Sequence, residues 1–143
     1  MPIQFCTGDP LSTTAQVLAF GHNARGRVEL GAFETRLMQT YSPAFSVYQK
    51  QCRVGRIKAG NLWLWRESKP NLMFMVVRDS SVGATRLRYV QSIAIQIAQE
   101  YPILGIKSLA IASLGNAYEW EEIRQVLTMW LNKCKLDVTI YDV

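Results

Sequence analysis

One histidine and three widely spaced cysteines are all the imidazole and thiol groups this chain has. There is no C-x-x-C pair, and zinc needs four closely spaced nitrogen or sulfur ligands, or three and a water, so no metal centre is expected. Cys6, Cys52 and Cys134 are odd in number and read as buried free thiols, which makes a reducing cytoplasm the expected location. No apolar run approaches the roughly 18 residues that span a bilayer, and no signal-peptide pattern opens the sequence. A Walker loop, a G-x-G-x-x-G fingerprint and a G-x-S-x-G elbow are also missing, which removes those routes to nucleotide binding and acyl transfer. No repeat, low-complexity tract or Pro/Gly/Ser-rich linker divides the chain.

What is present is ordinary globular chemistry. Apolar residues make up 49% and charged residues 19% of 143 positions. A chain of this length buries roughly 70% of its unfolded surface and is expected to form one domain, residues 1–143. The net charge of +5 suits an anionic partner. Lys50, Arg53, Arg56, Lys58, Arg86 and Arg88 are the residues a nucleic acid would meet, although a solvated, slightly basic surface is the plainer reading.

Strand and helix signals alternate along the chain. PIQFC (2–6) and QVLAF (16–20) read as strands, the first closed by Gly8-Asp9-Pro10. Leu30, Phe33, Leu37 and Tyr41 step by three and four, which predicts a helix over about 31–41. Ser42-Pro43 predicts a second helix, with Ser42 as cap and Phe45, Tyr48 and Cys52 inward. NLWLW (61–65) and LMFMVV (72–77) read as strands, and the latter, apolar on both faces, belongs inside a covered sheet. Leu87, Val90, Ile93, Ala94, Ile97 and Tyr101 predict a helix over 84–101. SLAIA (108–112), a helix over 119–133 and a strand VTIY (138–141) complete the order. Trp63, Trp65, Trp120 and Trp130 stand at core spacings and read as packing. This order predicts an α/β fold, a mixed and roughly six-stranded sheet with helices on both faces. Ligands of such sheets collect at the carboxyl ends of the strands.

Three loops end strands in that way: TGDPL (7–11), GHNARGRVELG (21–31) and SLGNAYE (113–119). Glycine lets backbone N–H groups approach an anion, and a following helix presents its positive end. Each loop alone is an ordinary turn; three in one arrangement say more. Together they resemble a macro domain, the ADP-ribose-binding module, over nearly the whole chain. TGDPL is similar to the G-D-[IL] that follows that family's first strand, VLAFGHNARGRVELGAF lies on its second strand and first phosphate loop, and SLGNAYEWEEI resembles its second phosphate loop. The ending VTIYDV is similar to the last strand of the subgroup that removes terminal ADP-ribose from glutamate.

The resemblance implies a three-layer α/β/α fold, ADP-ribose or an ADP-ribosylated macromolecule as partner, no cofactor, and a set of contacts. Asp9, followed by Pro10, would accept a hydrogen bond from the adenine amino group. Asn23 would reach the ribose; as a residue type it serves equally as a turn former. Arg27, Glu29 and Gly31 would border the diphosphate from the first loop, and Ser113, Leu114, Gly115, Asn116 and Ala117 from the second. Tyr118 would border the distal ribose, and Tyr141 would either stack on adenine or pack in the core.

Departures from the pattern bear on activity. The subgroup reads roughly R-M-G-x-G where this chain has Arg27-Val28-Glu29-Leu30-Gly31, so Glu29 stands at a glycine position. A carboxylate a few ångströms from a phosphate costs on the order of 1 kcal/mol unless an arginine offsets it. Arg25 and Arg27 are the expected partners, if Glu29 does not point outward. Near the position of the subgroup's lysine after the fourth strand stands Arg78, which stays protonated and cannot form a sugar adduct. No aspartate lies between Leu114 and Tyr118. The expectation is ADP-ribose binding with weak or no hydrolysis. The alternatives are a hydrolase of ADP-ribosyl esters or ADP-ribose phosphates, and a degenerate fold serving as an interaction module. For catalysis the candidates are His22, Arg78 and Asp79; the plainer readings are a satisfied strand-end histidine and an Arg78–Asp79 ion pair.

Overall fold

A computed structural model describes residues 3–115 and 117–142; Pro2, placed at the start of the first strand above, lies outside them. Six strands form one sheet in the order β1-β6-β5-β2-β4-β3: β1 (Ile3–Thr7), β2 (Val17–Asn23), β3 (Leu62–Trp65), β4 (Asn71–Arg78), β5 (Ser108–Ile111) and β6 (Asp137–Asp142). All neighbours are parallel except the edge strand β3, which runs antiparallel to β4. The sheet is therefore mixed, as expected.

β4 shows how the layers arise. Its side chains alternate across the pleat. Met73, Met75 and Val77 enter one core with α3 (Leu87–Leu104) and α4 (Ala117–Leu131), through Val90, Ile93, Ile97, Ile123 and Leu127. Leu72, Phe74 and Val76 enter the other with α1 (Ala32–Thr40) and α2 (Ser42–Arg53), through Leu37, Phe45 and Tyr48. The second core is aromatic: Phe74 meets Phe20, Phe45, Tyr48 and Trp63 with ring centroids 4.3 to 5.2 Å apart. Such contacts add to the area each ring buries.

Several boundaries differ from the sequence reading. β2 continues three residues past QVLAF, because Gly21, His22 and Asn23 keep pairing with β4 whatever their polarity. α1 starts at Ala32, and Leu30, expected on its inner face, is 92% exposed. Gly31 turns the chain at φ +138°, and this takes Leu30 out of the helical register. Ser42 lies inside α2, whose cap position is Tyr41, one residue earlier than expected. α3 carries Pro102 in its last turn and runs on to Leu104.

The tryptophans pack as expected at Trp63, Trp65, Trp120 and Trp130. Trp120 also donates from Nε1 to Asp142 Oδ1 at 2.9 Å, tying α4 to β6. Trp120→Phe is expected to lower stability by at least about 1 kcal/mol in urea unfolding, the usual net worth of one such bond with the lost ring volume added. An unchanged midpoint would show that the bond contributes nothing.

Candidate functional site

From β2 the chain turns to the α1/α2 face, and from β4 and β5 it turns to the α3/α4 face. The loops at the carboxyl ends of these three adjacent strands diverge and leave a crevice, the position where open α/β sheets hold ligands. A cavity of about 610 Å3 occupies it, lined by Gly21, Glu29, Leu30, Glu34, Arg78, residues 81–84, Ser113, Leu114, Gly115 and Glu119. A narrow cleft that shares Gly21, Glu29 and Glu34 continues toward His22 and Phe45.

The loop after β2 is organised by Asn23, whose side chain is wholly buried. Its Oδ1 accepts from Arg25 N and Arg27 N, each at 3.1 Å. Its Nδ2 donates to Arg27 O at 2.9 Å and to Glu29 Oε2 at 2.5 Å. The amide expected at a ribose is thus engaged on both atoms inside its own loop. A register shift in the β2–β4 ladder, with His22 opposite Val76 and Asn23 opposite Arg78, marks the same place. Irregularities of this kind re-aim side chains beside sites.

His22 is 3% exposed and sits among Phe45, Tyr48 and Phe74. Its Nδ1 accepts from Asn23 N at 2.8 Å. Burial pushes its pKa down to about 4, with nearby Arg78 acting in the same direction and the contact with Asn23 opposing. A neutral imidazole with that pKa is a weak base at pH 7. Tyr48 donates from its hydroxyl to Asn23 O at 2.8 Å, and burial raises its pKa further above the ordinary phenol value.

Glu29 faces the cavity, and its partner is not the arginine expected from the sequence. Arg78 Nη2 donates to Glu29 Oε1 at 2.5 Å, and Arg78 Nη1 donates to Thr85 Oγ1 at 2.9 Å. Both charged side chains are largely buried, at 11% and 14% exposure. Arg25 and Arg27, the expected partners, project to the exposed surface. The expected Arg78–Asp79 ion pair also gives way: Asp79 accepts from the Tyr89 hydroxyl at 2.8 Å, while Arg78 turns inward.

The residues expected at an adenine are arranged differently. Asp9 caps the short 3-10 turn Pro10–Ser12, accepting from Leu11 N at 3.0 Å, and its other oxygen pairs with Arg36 on α1. The hydrogen bond from Arg36 is the main cause holding its carboxyl below the usual range. Thr7 is paired with Asp142, so this turn leaves the sheet beside Tyr141, which packs partly into the α1/α2 core. Asp9, Pro10 and Tyr141 lie outside the lining of the cavity, as do Arg27 and Gly31. Of the residues expected in a second phosphate loop, Ser113, Leu114 and Gly115 line the cavity; Ala117 and the exposed Tyr118 open α4; Asn116 lies outside the described residues.

Glu34, Glu119 and the β4–α3 segment 81–84 are lining residues that sequence reasoning did not single out. Glu34 and Glu119 had a signal: GAFE (31–34) and NAYE (116–119) repeat one pattern, with glutamate at the third helical position, where it reaches back over the helix start. The six basic residues noted above are exposed, and none lines the cavity. No described helix is long and apolar enough to cross a membrane.

No protein-family model matches the chain, and comparison with curated protein sequences returns no match. Solved structures do match. The macrodomain of Thermus aquaticus DarG superposes with a TM-score of 0.88 at 18% identity, over 99% of this chain and 98% of that one. The macrodomain of Mycobacterium tuberculosis DarG gives 0.88 at 21% identity, over 99% and 97%. Thermosipho africanus DarTG in complex with ADP-ribose gives 0.89 at 22% identity, over 97% of this chain and 41% of that one. At such identities the likeness speaks for the fold alone, and with it the six-stranded mixed sheet between two helical layers has its counterpart: the chain has the macrodomain fold.

Proposed function

We propose that the chain binds ADP-ribose, or the ADP-ribosyl group of a modified macromolecule, in the crevice at the carboxyl ends of β2, β4 and β5. The observation that carries this reading is the cavity itself, bounded on one side by the glycine-bearing loop after β2 and on the other by Ser113–Leu114–Gly115. A solved structure of the same fold contains ADP-ribose, which supports the choice of ligand. In this reading Asp9, a carboxylate at neutral pH, accepts from the adenine amino group, and Pro10 and Tyr141 flank the base. The backbones of 27–31 and 113–117 meet the diphosphate, Tyr118 borders the distal ribose, and Asn23 acts by shaping the first loop. Hydrolysis is weak or absent: Arg78 is already paired, His22 is a buried weak base, and Asp79 is turned to Tyr89.

Calorimetric titration with ADP-ribose tests the reading. Binding is expected in the wild type, and Asp9→Ala is expected to weaken it about tenfold, the worth of a hydrogen bond to a charged acceptor. No heat at millimolar ADP-ribose would end the proposal. In a parallel assay, little or no ADP-ribose should be released from an ADP-ribosylated glutamate peptide; turnover that His22→Ala abolishes would restore the hydrolase reading.

A further inference from the structure

The cavity that should receive a diphosphate is lined by three carboxylates, Glu29, Glu34 and Glu119, against one guanidinium, Arg78. Two of the carboxylates cover the starts of helices, which attract anions, and the third is paired with the arginine. The glutamate at 34 folds back over the start of α1, so that a Cβ added to Gly31 would lie 2.0 Å from its Oε1. The one at 119 does the same at α4, 2.5 Å from a Cβ added to Gly115, and its Oε2 accepts from Thr85 N at 3.2 Å. Glu29 holds the cavity's one cation, through the 2.5 Å bond to Arg78, and is itself held by Asn23.

We propose that Glu29 is a built-in occupant of the anion site, a specificity-determining residue that competes with the ligand's phosphates for Arg78. This rests on the reading above that the cavity takes a phosphate-bearing ligand. An anionic group enters by displacing the Glu29 carboxylate from Arg78 Nη2, while Asn23 holds the other carboxylate oxygen and the neighbouring Leu30 lies almost fully in solvent. The consequence is selective. A ligand that pushes the carboxylate aside without placing a phosphate on Arg78 leaves a largely buried guanidinium unpaired, a heavy penalty. Repulsion alone would not give this result, because it would operate with or without Arg78.

The test is a double-mutant cycle read by two probes, ADP-ribose by calorimetry and inorganic pyrophosphate by the amide shifts of Gly31 and Gly115. Glu29→Gln should bind both probes about tenfold tighter than wild type, since a neutral amide releases the guanidinium. Glu29→Gly provides a second form should the amide variant fold poorly, and the same gain is expected. In the Arg78→Gln background the same change should bring no gain: Glu29→Gln combined with Arg78→Gln should bind no tighter than Arg78→Gln alone. Equal pyrophosphate affinity in wild type and both Glu29 variants would overturn the proposal, and so would a gain that survives loss of Arg78. If ADP-ribose binds to none of the proteins while pyrophosphate follows the expected order, the nucleotide reading fails and the Glu29 proposal stands.

Discussion

Lowering the pH from 7 to 4 is expected to remove about 3 kcal/mol of stability through His22 alone. The folded imidazole has a pKa near 4 against an ordinary 6.5, because burial among three aromatic rings disfavours its charged form. Below 6.5 the unfolded chain takes up a proton that the folded chain refuses, so folding becomes less favourable as pH falls. Below about 4 both states are protonated and the effect saturates. The stabilisation is therefore complete above 6.5 and lost across that window. Because His22 is the chain's one histidine, its imidazole proton signals can be followed without ambiguity. Their midpoint should lie near 4, and in urea unfolding His22→Gln should flatten the slope of stability against pH between 6.5 and 4. A midpoint near 6.5 would mean that the ring is solvated and that the buried site is wrongly described.

Asn23→Ala is expected to cost about 3 kcal/mol, well above a typical surface substitution. The amide makes four hydrogen bonds within one loop, and truncation strands the Arg25 and Arg27 N–H groups and the Arg27 carbonyl. It also frees the Glu29 carboxylate from one of its two anchors. Tyr48→Phe, which removes one hydrogen bond to the Asn23 carbonyl, should cost about 1 kcal/mol and provides the comparison. Hydrogen exchange adds a local measure: the amides of Arg25 and Arg27 should lose protection in Asn23→Ala while those of β4 keep theirs. A change in stability within about 0.5 kcal/mol would place Asn23 among ordinary turn residues.

Periodicity and turn chemistry made the elements legible in the sequence. LMFMVV, apolar on both faces, had to lie within a covered sheet because either pleat face of β4 meets a helical layer. The inward face of α3 followed from steps of three and four, which report burial directly. The glycine loops were legible because a turn from strand to helix demands particular backbone angles within a few residues. Local patterns could not reach farther. Leu30 kept the helical step but fell before Gly31, whose backbone turn breaks the register. Arg78 seemed the natural partner of Asp79 next to it, and Glu29 that of Arg25 or Arg27. Strand order decided otherwise: β2 and β4 lie side by side, so a carboxylate and a guanidinium 49 residues apart meet in a half-dry crevice. Charges close in sequence remain in water there and lose little by staying apart, whereas those buried together must pair. Residue type and spacing thus determined the layers and the loops of this protein, and the order of the strands alone decided which charges face the cavity.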